Sequence, residues 1–411
     1  MESVKSTGAH KWEFAPRFRR DGFGWKSDLP IKRIKEALTE IRQMARKEPV
    51  LAAEGAILLL EKLSPSLGHV DSSSGAIGSA VNRTIETLVP IITKAEVTLA
   101  IRRRWLDRLW QAIQEDAMPY IEYLGDFWGE LCVLPELASA WADQLLPMVQ
   151  SIWSPSATGH GYCKGTTACL SALHAANRHE ELLALIEQAP FKWWHDRRWG
   201  VKALLAMGKK SDALSYVEAS RGRNQPDEVI SQAGEEILLS SGLRDEAYCR
   251  YALQANQGTT NLNTFRAIAK KYPDKAAADI LRDLVASQPG AEGKWFAAAK
   301  DAGLYSVAID LVTRSPTDPR TLIRAAKEFA KKEPPFAVAA GLAALRWIFA
   351  GHGYDITDTE ILDAYQAAIA AASFAGIENH QINKDVRKLL DTHPASWRYM
   401  HNVLAQFLEA P

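Results

Sequence analysis

The stretch Ala206–Ala219, AMGKKSDALSYVEA, decides how the chain is read. Gly208 is a turn residue. Leu204 stands four positions before it, Ala213 five after and Val217 nine after. A small residue where two helices cross, with a larger apolar residue one turn on, is what a closely packed antiparallel helix pair requires. The arrangement recurs in AANRHEELLALIEQ, SSGLRDEAYCRYAL, KKYPDKAAADILRD and DAGLYSVAIDLVTR, aligned on Asn177, Gly242, Tyr272 and Gly303. With Gly208 these turn residues are spaced by 31, 34, 30 and 31 residues.

Five positions after each turn residue stand Leu182, Ala213, Ala247, Ala277 and Ala308. Nine after stand Ile186, Val217, Tyr251, Leu281 and Val312, and four before stand Leu173, Leu204, Leu238, Ile268 and Ala299. Pro334 occupies the next turn place, followed by Ala339 and Ala343. Self-similarity at this period is the mark of stacked supersecondary units.

Gly208 with Ala213, and Gly242 with Ala247, resemble the turn–alanine arrangement of tetratricopeptide-like helical repeats, whose period is about 34 residues. The resemblance is generic and covers residues 165–345. It implies an all-α fold, an α-solenoid of antiparallel helix pairs of the tetratricopeptide or HEAT kind, and protein or peptide binding on a concave face.

Outside the repeats the pattern is also helical. Residues 1–28 read as an irregular arm rich in aromatic and basic side chains. Asp28 with Pro30 starts a helix whose missing proline N–H has no partner to lose, and Pro49 opens the next. Residues 29–155 form an N-terminal helical region, either a cap of another type or a separate bundle, and residues 346–411 supply capping helices. The boundary before the repeats is placed at SPSATGHGYCKGTT, residues 154–167. Sustained alternation of period two, the mark of strands, is absent.

Composition excludes several classes. Lys+Arg and Asp+Glu number 49 each, so the net charge draws no partner of either sign. Cys132, Cys163, Cys169 and Cys249 are too scattered for a disulfide framework. No run approaches 18 apolar residues, so no membrane contact is expected, and a cytoplasmic location follows as the expectation. No cofactor and no small-molecule ligand are indicated.

HVDSSSGAIGSAVNRTI, residues 69–85, looks like a phosphate loop but lacks the Gly-Lys-Ser/Thr ending. Ile77, Val81, Ile85, Leu88 and Ile92 form one helical stripe, and Asp71, Ser72 and Ser73 are expected to cap that helix. His160, Cys163, Cys169 and His174 offer zinc-type ligands. On a helix, however, Cys169 and His174 would point about 140° apart, so no metal site is assigned.

Three charged regions remain. The arm pairs Trp12, Phe14, Phe18, Phe23 and Trp25 with Arg17, Arg19 and Arg20, and either docks on its own chain or meets a partner. FKWWHDRRWG, residues 191–200, offers Arg197 and Arg198 to phosphates; alternatively, Trp194 and Trp199 pack between repeats under arginine. Residues 191–223 carry eight basic and three acidic side chains. Between Arg108 and Lys164 there are seven acidic residues and no Lys or Arg. There Glu122, Asp126 and Glu130 are interleaved with Tyr123 and Trp128, an acidic, aromatic face suited to a basic protein segment.

No Ser/His/Asp or Cys/His set stands out, and no catalytic residue is assigned. The expected function is a non-enzymatic scaffold or adaptor that binds a protein partner. A nucleic-acid binder using Arg17, Arg19, Arg20, Arg197 and Arg198 is the second reading. An enzyme with a site assembled from distant residues is the third.

Overall fold

A computed structural model describes residues 10–154, 162–222, 225–392 and 397–408. Among these residues every regular element is helical, and none of the helices is long and apolar enough to cross a membrane. The chain forms two compact units, dividing between Gln225 and Pro226, inside the stretch that carries the repeating pattern.

The first unit opens with α1 (Asp28–Ala45), α2 (Pro49–Ser66), α3 (Ala76–Lys94) and α4 (Leu99–Glu115). A 3-10 turn at Glu122–Phe127 leads into α5 (Trp128–Cys132) and α6 (Pro135–Trp153). Then follow α7 (Thr166–Ala175), α8 (His179–Glu187), α9 (Trp194–Ala206) and α10 (Lys210–Glu218). The helix starts at Asp28 and Pro49 are those expected from the sequence.

The aromatic arm docks on its own unit. Trp12, Phe14, Phe18 and Phe23 are buried, each ring within 6.2 Å of the next. The Glu40 carboxylate accepts hydrogen bonds from the backbone N–H groups of Glu13 and Phe14 at 2.8 and 3.1 Å. Gly55 admits the Trp12 ring, since a Cβ there would lie 2.2 Å from it. Arg17 pairs with Glu36 at 2.9 Å, while Arg19, Arg20 and Trp25 stay exposed.

The stripe Ile77, Val81, Ile85, Leu88 and Ile92 is buried on α3 as expected. The expected cap is not formed. Asp71 Oδ1 accepts from the Ser73 N–H instead, and the helix begins beyond Gly75, whose φ is +71°. The serine-rich stretch closes a turn of its own first, so the Asp71, Ser72 and Ser73 side chains fall short of the helix N–H groups. Only Ser74 Oγ accepts from one, that of Ala76 at 3.4 Å.

The second unit contains α11 (Asp227–Ser240), α12 (Arg244–Ala255), α13 (Asn261–Lys271) and α14 (Ala277–Ala286). It continues through α15 (Phe296–Asp301), α16 (Tyr305–Arg314), α17 (Pro319–Phe329) and α18 (Pro334–Phe349). It ends with α19 (Asp358–Ala375), α20 (Asn379–Asp391) and α21 (Trp397–Leu408). Within each unit, helices adjacent in sequence pack against one another in pairs, as α9 with α10 and α11 with α12.

One turn joins four of these pairs and recurs at Gly351, between α18 and α19. At Gly208 the N–H of Lys209 bonds the carbonyl of Leu204, and that of Gly208 bonds Leu205. The same two bonds close the turns at Asn177, Gly242 and Gly303. This is the Schellman motif, which satisfies carbonyls a helix end leaves free. It needs a left-handed residue at the turn, and φ is +76° at Gly208 and +59° at Asn177.

The alignment at Tyr272 fails, because Pro273 follows. The motif requires an N–H from the residue after the turn, and proline has none. Tyr272 is instead a fully buried residue at the end of α13. The turn comes later, and Ile280 and Leu284 are buried one turn apart on α14, while Ala277 is its first residue and only half-buried. Pro334 likewise opens α18 rather than occupying a turn.

Ala213 and Ala247 have no accessible surface. Leucine at either position should overpack the helix pair and cost about 1–3 kcal/mol. Thermal melts of both variants matching the parent would remove this packing register.

Candidate functional site

The acidic interval and the basic segment, read from sequence as separate surfaces, meet at an ion pair. Asp126 lies in the 3-10 turn before α5, and Arg198 projects from α9. Their Oδ1 and Nη2 atoms are 2.5 Å apart. Arg197 is buried, donates from Nε to Ser220 Oγ at 2.7 Å and lies 4.0 Å from the centre of the Tyr216 ring. Neither arginine is presented for phosphate contact. Trp199 is buried with Lys202 over its ring at 4.0 Å, the packing role weighed from sequence, and Trp194 is half-buried.

Other acidic groups of the interval are also engaged. Asp143 pairs with Arg178 at 2.6 Å. Asp116 is buried and accepts from Ser64 Oγ and the Ile121 N–H. Lys164 folds back on the interval, donating to the carbonyls of Ile113, Gln114 and Asp116 at the end of α4. Tyr123 donates its hydroxyl to Glu86 at 3.2 Å. Glu130 remains exposed.

Trp128 is not a surface aromatic. It is fully buried, with Trp110 and Trp141 at ring-centre distances of 5.6 and 5.0 Å. Its place at the first turn of a short helix packed on α7 sends the side chain inward, which the local alternation of acidic and aromatic residues could not reveal.

Among the described residues the zinc-type side chains form no group that could hold a metal ion. Cys169 is buried, and burial pushes its thiol up to about 12. Cys163 Sγ accepts the Gly165 N–H at 3.3 Å. His174 stacks near His179 and Trp199, and burial pushes it down to about 4. His160 lies outside the described residues.

A cleft of about 140 Å³ forms where the two charged regions meet. Glu122 lies on one side, where both its carboxylate oxygens accept from the Tyr162 hydroxyl at 2.6–2.7 Å. Asp196, in the first turn of α9, lies on another. Its Oδ1 is 3.1 Å from His195 Nε2, and the carboxylate raises the histidine pKa. Asp196 Oδ1 and Thr166 Oγ1 are both buried and accept no aligned hydrogen bond among the described residues.

Three aromatic rings of the cleft face solvent: Tyr162, Phe191 and Trp193 are 65%, 54% and 40% exposed. Phe191 and Trp193 lie 6.1 Å apart. Two carboxylates beside several ring faces make an environment for a cation.

Of the sequence-assigned residues only Glu122 reaches this cleft. Tyr162, Phe191, Trp193 and Asp196 were missed as a group. Phe191 and Trp193 carry a legible signal, because they precede the helix start at Trp194 and so hold no place in its buried stripe.

No family model, curated protein or solved structure matches this chain.

Proposed function

We propose that the chain is a non-enzymatic scaffold or adaptor, built as an α-solenoid of tetratricopeptide-like helix pairs, that binds a protein partner. The first unit takes a basic side chain of that partner into the cleft between Glu122 and Asp196. The observation that carries this reading is the exposure of Tyr162, Phe191 and Trp193 around two carboxylates. Exposed aromatic groups of this kind supply contact area that a monomer gains nothing by leaving wet. The recurring turn and the buried small residues that follow it support the solenoid. Burial of Arg197 and pairing of Arg198 favour protein over nucleic acid, since both arginines are already committed.

The test is fluorescence anisotropy with Lys/Arg-rich peptides, acidic peptides and random RNA. The variant Glu122→Gln with Trp193→Ala changes no ion pair among the described residues and should retain the helical circular-dichroism signal. Its affinity for basic peptides should fall about tenfold, or about 1.4 kcal/mol. Affinity equal to the parent's, or RNA bound more tightly than any peptide, refutes the reading. Reversing Asp126 is the wrong probe, because it breaks the bond to Arg198.

A further inference from the structure

We propose that the second unit carries a separate docking groove for an acidic segment of a protein partner. It rests on the reading of the chain as partner-binding, but on none of the residues of the first unit.

The groove, about 900 Å³, is lined by successive connections of the same sense. They are the starts of α13 at Thr259–Leu262, α15 at Gly293–Ala297 and α17 at Pro316–Thr321, and the loop His352–Tyr354 before α19. The wall between the second and third connections is held firmly. The Gly293 N–H donates to Ser315 Oγ, and Thr317 Oγ1 donates to the Gly293 carbonyl, both at 2.7 Å. A Cβ at position 293 would lie 2.4 Å from the Ser315 carbonyl oxygen. A groove with such fixed walls asks little ordering of itself on binding.

Its permanent side-chain charges are two cations and one carboxylate. Lys294, Arg324 and His352 are exposed along it, and among the described residues none of them forms an ion pair. Several cations of the neighbouring helix faces are matched: Lys300 with Glu328, Arg320 with Glu360 and Lys327 with Asp363. The one carboxylate of the lining, Asp318, is occupied in capping α17, where Oδ2 accepts from the Thr321 N–H and hydroxyl at 3.0 and 2.9 Å.

The helix starts add to this. α13 opens onto the groove capped by Thr260 and with no acidic residue in its first turn, unlike α11, α12 and α19, whereas α17 already carries Asp318 as its cap. An uncompensated first turn favours negative charge nearby. Leu262, Phe296 and Pro316 line the apolar part, and Tyr354 is 82% exposed at the edge.

Two permanent cations are too few to follow a phosphate backbone, whose binding needs many such contacts. Apolar lining between them suits side chains. The fitting occupant is a peptide in which Asp or Glu alternates with apolar residues.

The experiment uses the full chain and three fluorescent probes. These are a dodecamer with Asp and Glu interspersed among Leu and Phe, the same peptide with Lys and Arg for the acids, and single-stranded RNA. The acidic peptide should bind more tightly than the RNA, and more weakly as salt rises. Lys294→Glu with Arg324→Glu, at two exposed positions, should reduce its affinity at least about tenfold with the circular-dichroism signal unchanged. Glu122→Gln with Trp193→Ala should leave it unaltered, so this groove and the first-unit cleft are tested separately. Acidic-peptide affinity unmoved by the double reversal overturns the proposal. So does RNA as the tightest ligand, lost in the same variant.

Discussion

Glu235→Ala should destabilise the second unit by about 3–5 kcal/mol, the loss expected when one partner of a buried charged network is removed. Glu235 has no accessible surface and ties α11 to the next two helices. Its Oε1 accepts from the Tyr272 hydroxyl at 2.6 Å and from Asn256 Nδ2 at 2.8 Å, and its Oε2 from Lys271 Nζ at 2.5 Å. Removal leaves the buried Tyr272 hydroxyl without its acceptor, where an unmade hydrogen bond costs more than a formed one contributes. Asn256 Nδ2 keeps the Ala252 carbonyl, and the partly exposed Lys271 Nζ keeps Asn256 Oδ1. Chemical unfolding followed by circular dichroism measures the loss. Glu235→Gln keeps an acceptor for Tyr272 and should lose less. Equal losses for the two variants would show that side-chain volume, rather than hydrogen bonding, holds these helices together.

Trp128→Ala should cost the first unit about 3–5 kcal/mol, the range for deleting a large buried aromatic. The ring is enclosed by Trp110 and Trp141, and the backbone beside it is close-set: a Cβ on Gly129 would lie 2.5 Å from the Ser171 carbonyl oxygen. No relaxation of the surface can refill that volume cheaply. Thermal melting with intrinsic tryptophan fluorescence reports it, and Trp128→Phe should recover part of the loss. A variant that melts like the parent would return Trp128 to the surface role read from sequence.

Much of the local structure was legible in the chain. Pro49 and the Asp28–Pro30 pair mark helix starts because a proline N–H is dispensable there. Gly208, Gly242 and Gly303 mark helix ends because the turn demands a positive φ. The failure at Tyr272 was legible too, since Pro273 stands in the donor position of that turn, and spacing alone passed over it. The cap before α3 was misread because Asp71, Ser72 and Ser73 can satisfy either a helix or their own turn, and residue type does not choose between them. The cleft was scarcely legible. Glu122, Tyr162 and Asp196 belong to three distant segments that no local pattern joins.

By itself the sequence determined that the regular elements of the described residues are helical, where several helices begin or end, and which stripe of α3 is buried. These follow from interactions within a few residues: caps, turns and the 3.6-residue period. Only the tertiary structure decided which charges remain available. Asp126 and Arg198 are 72 residues apart in the chain and 2.5 Å apart in the fold. Coulombic attraction acts through space, so an acidic run and a basic run cancel or persist according to how the helices stack, and the unpaired cations of the second unit are visible only once their neighbours are in place.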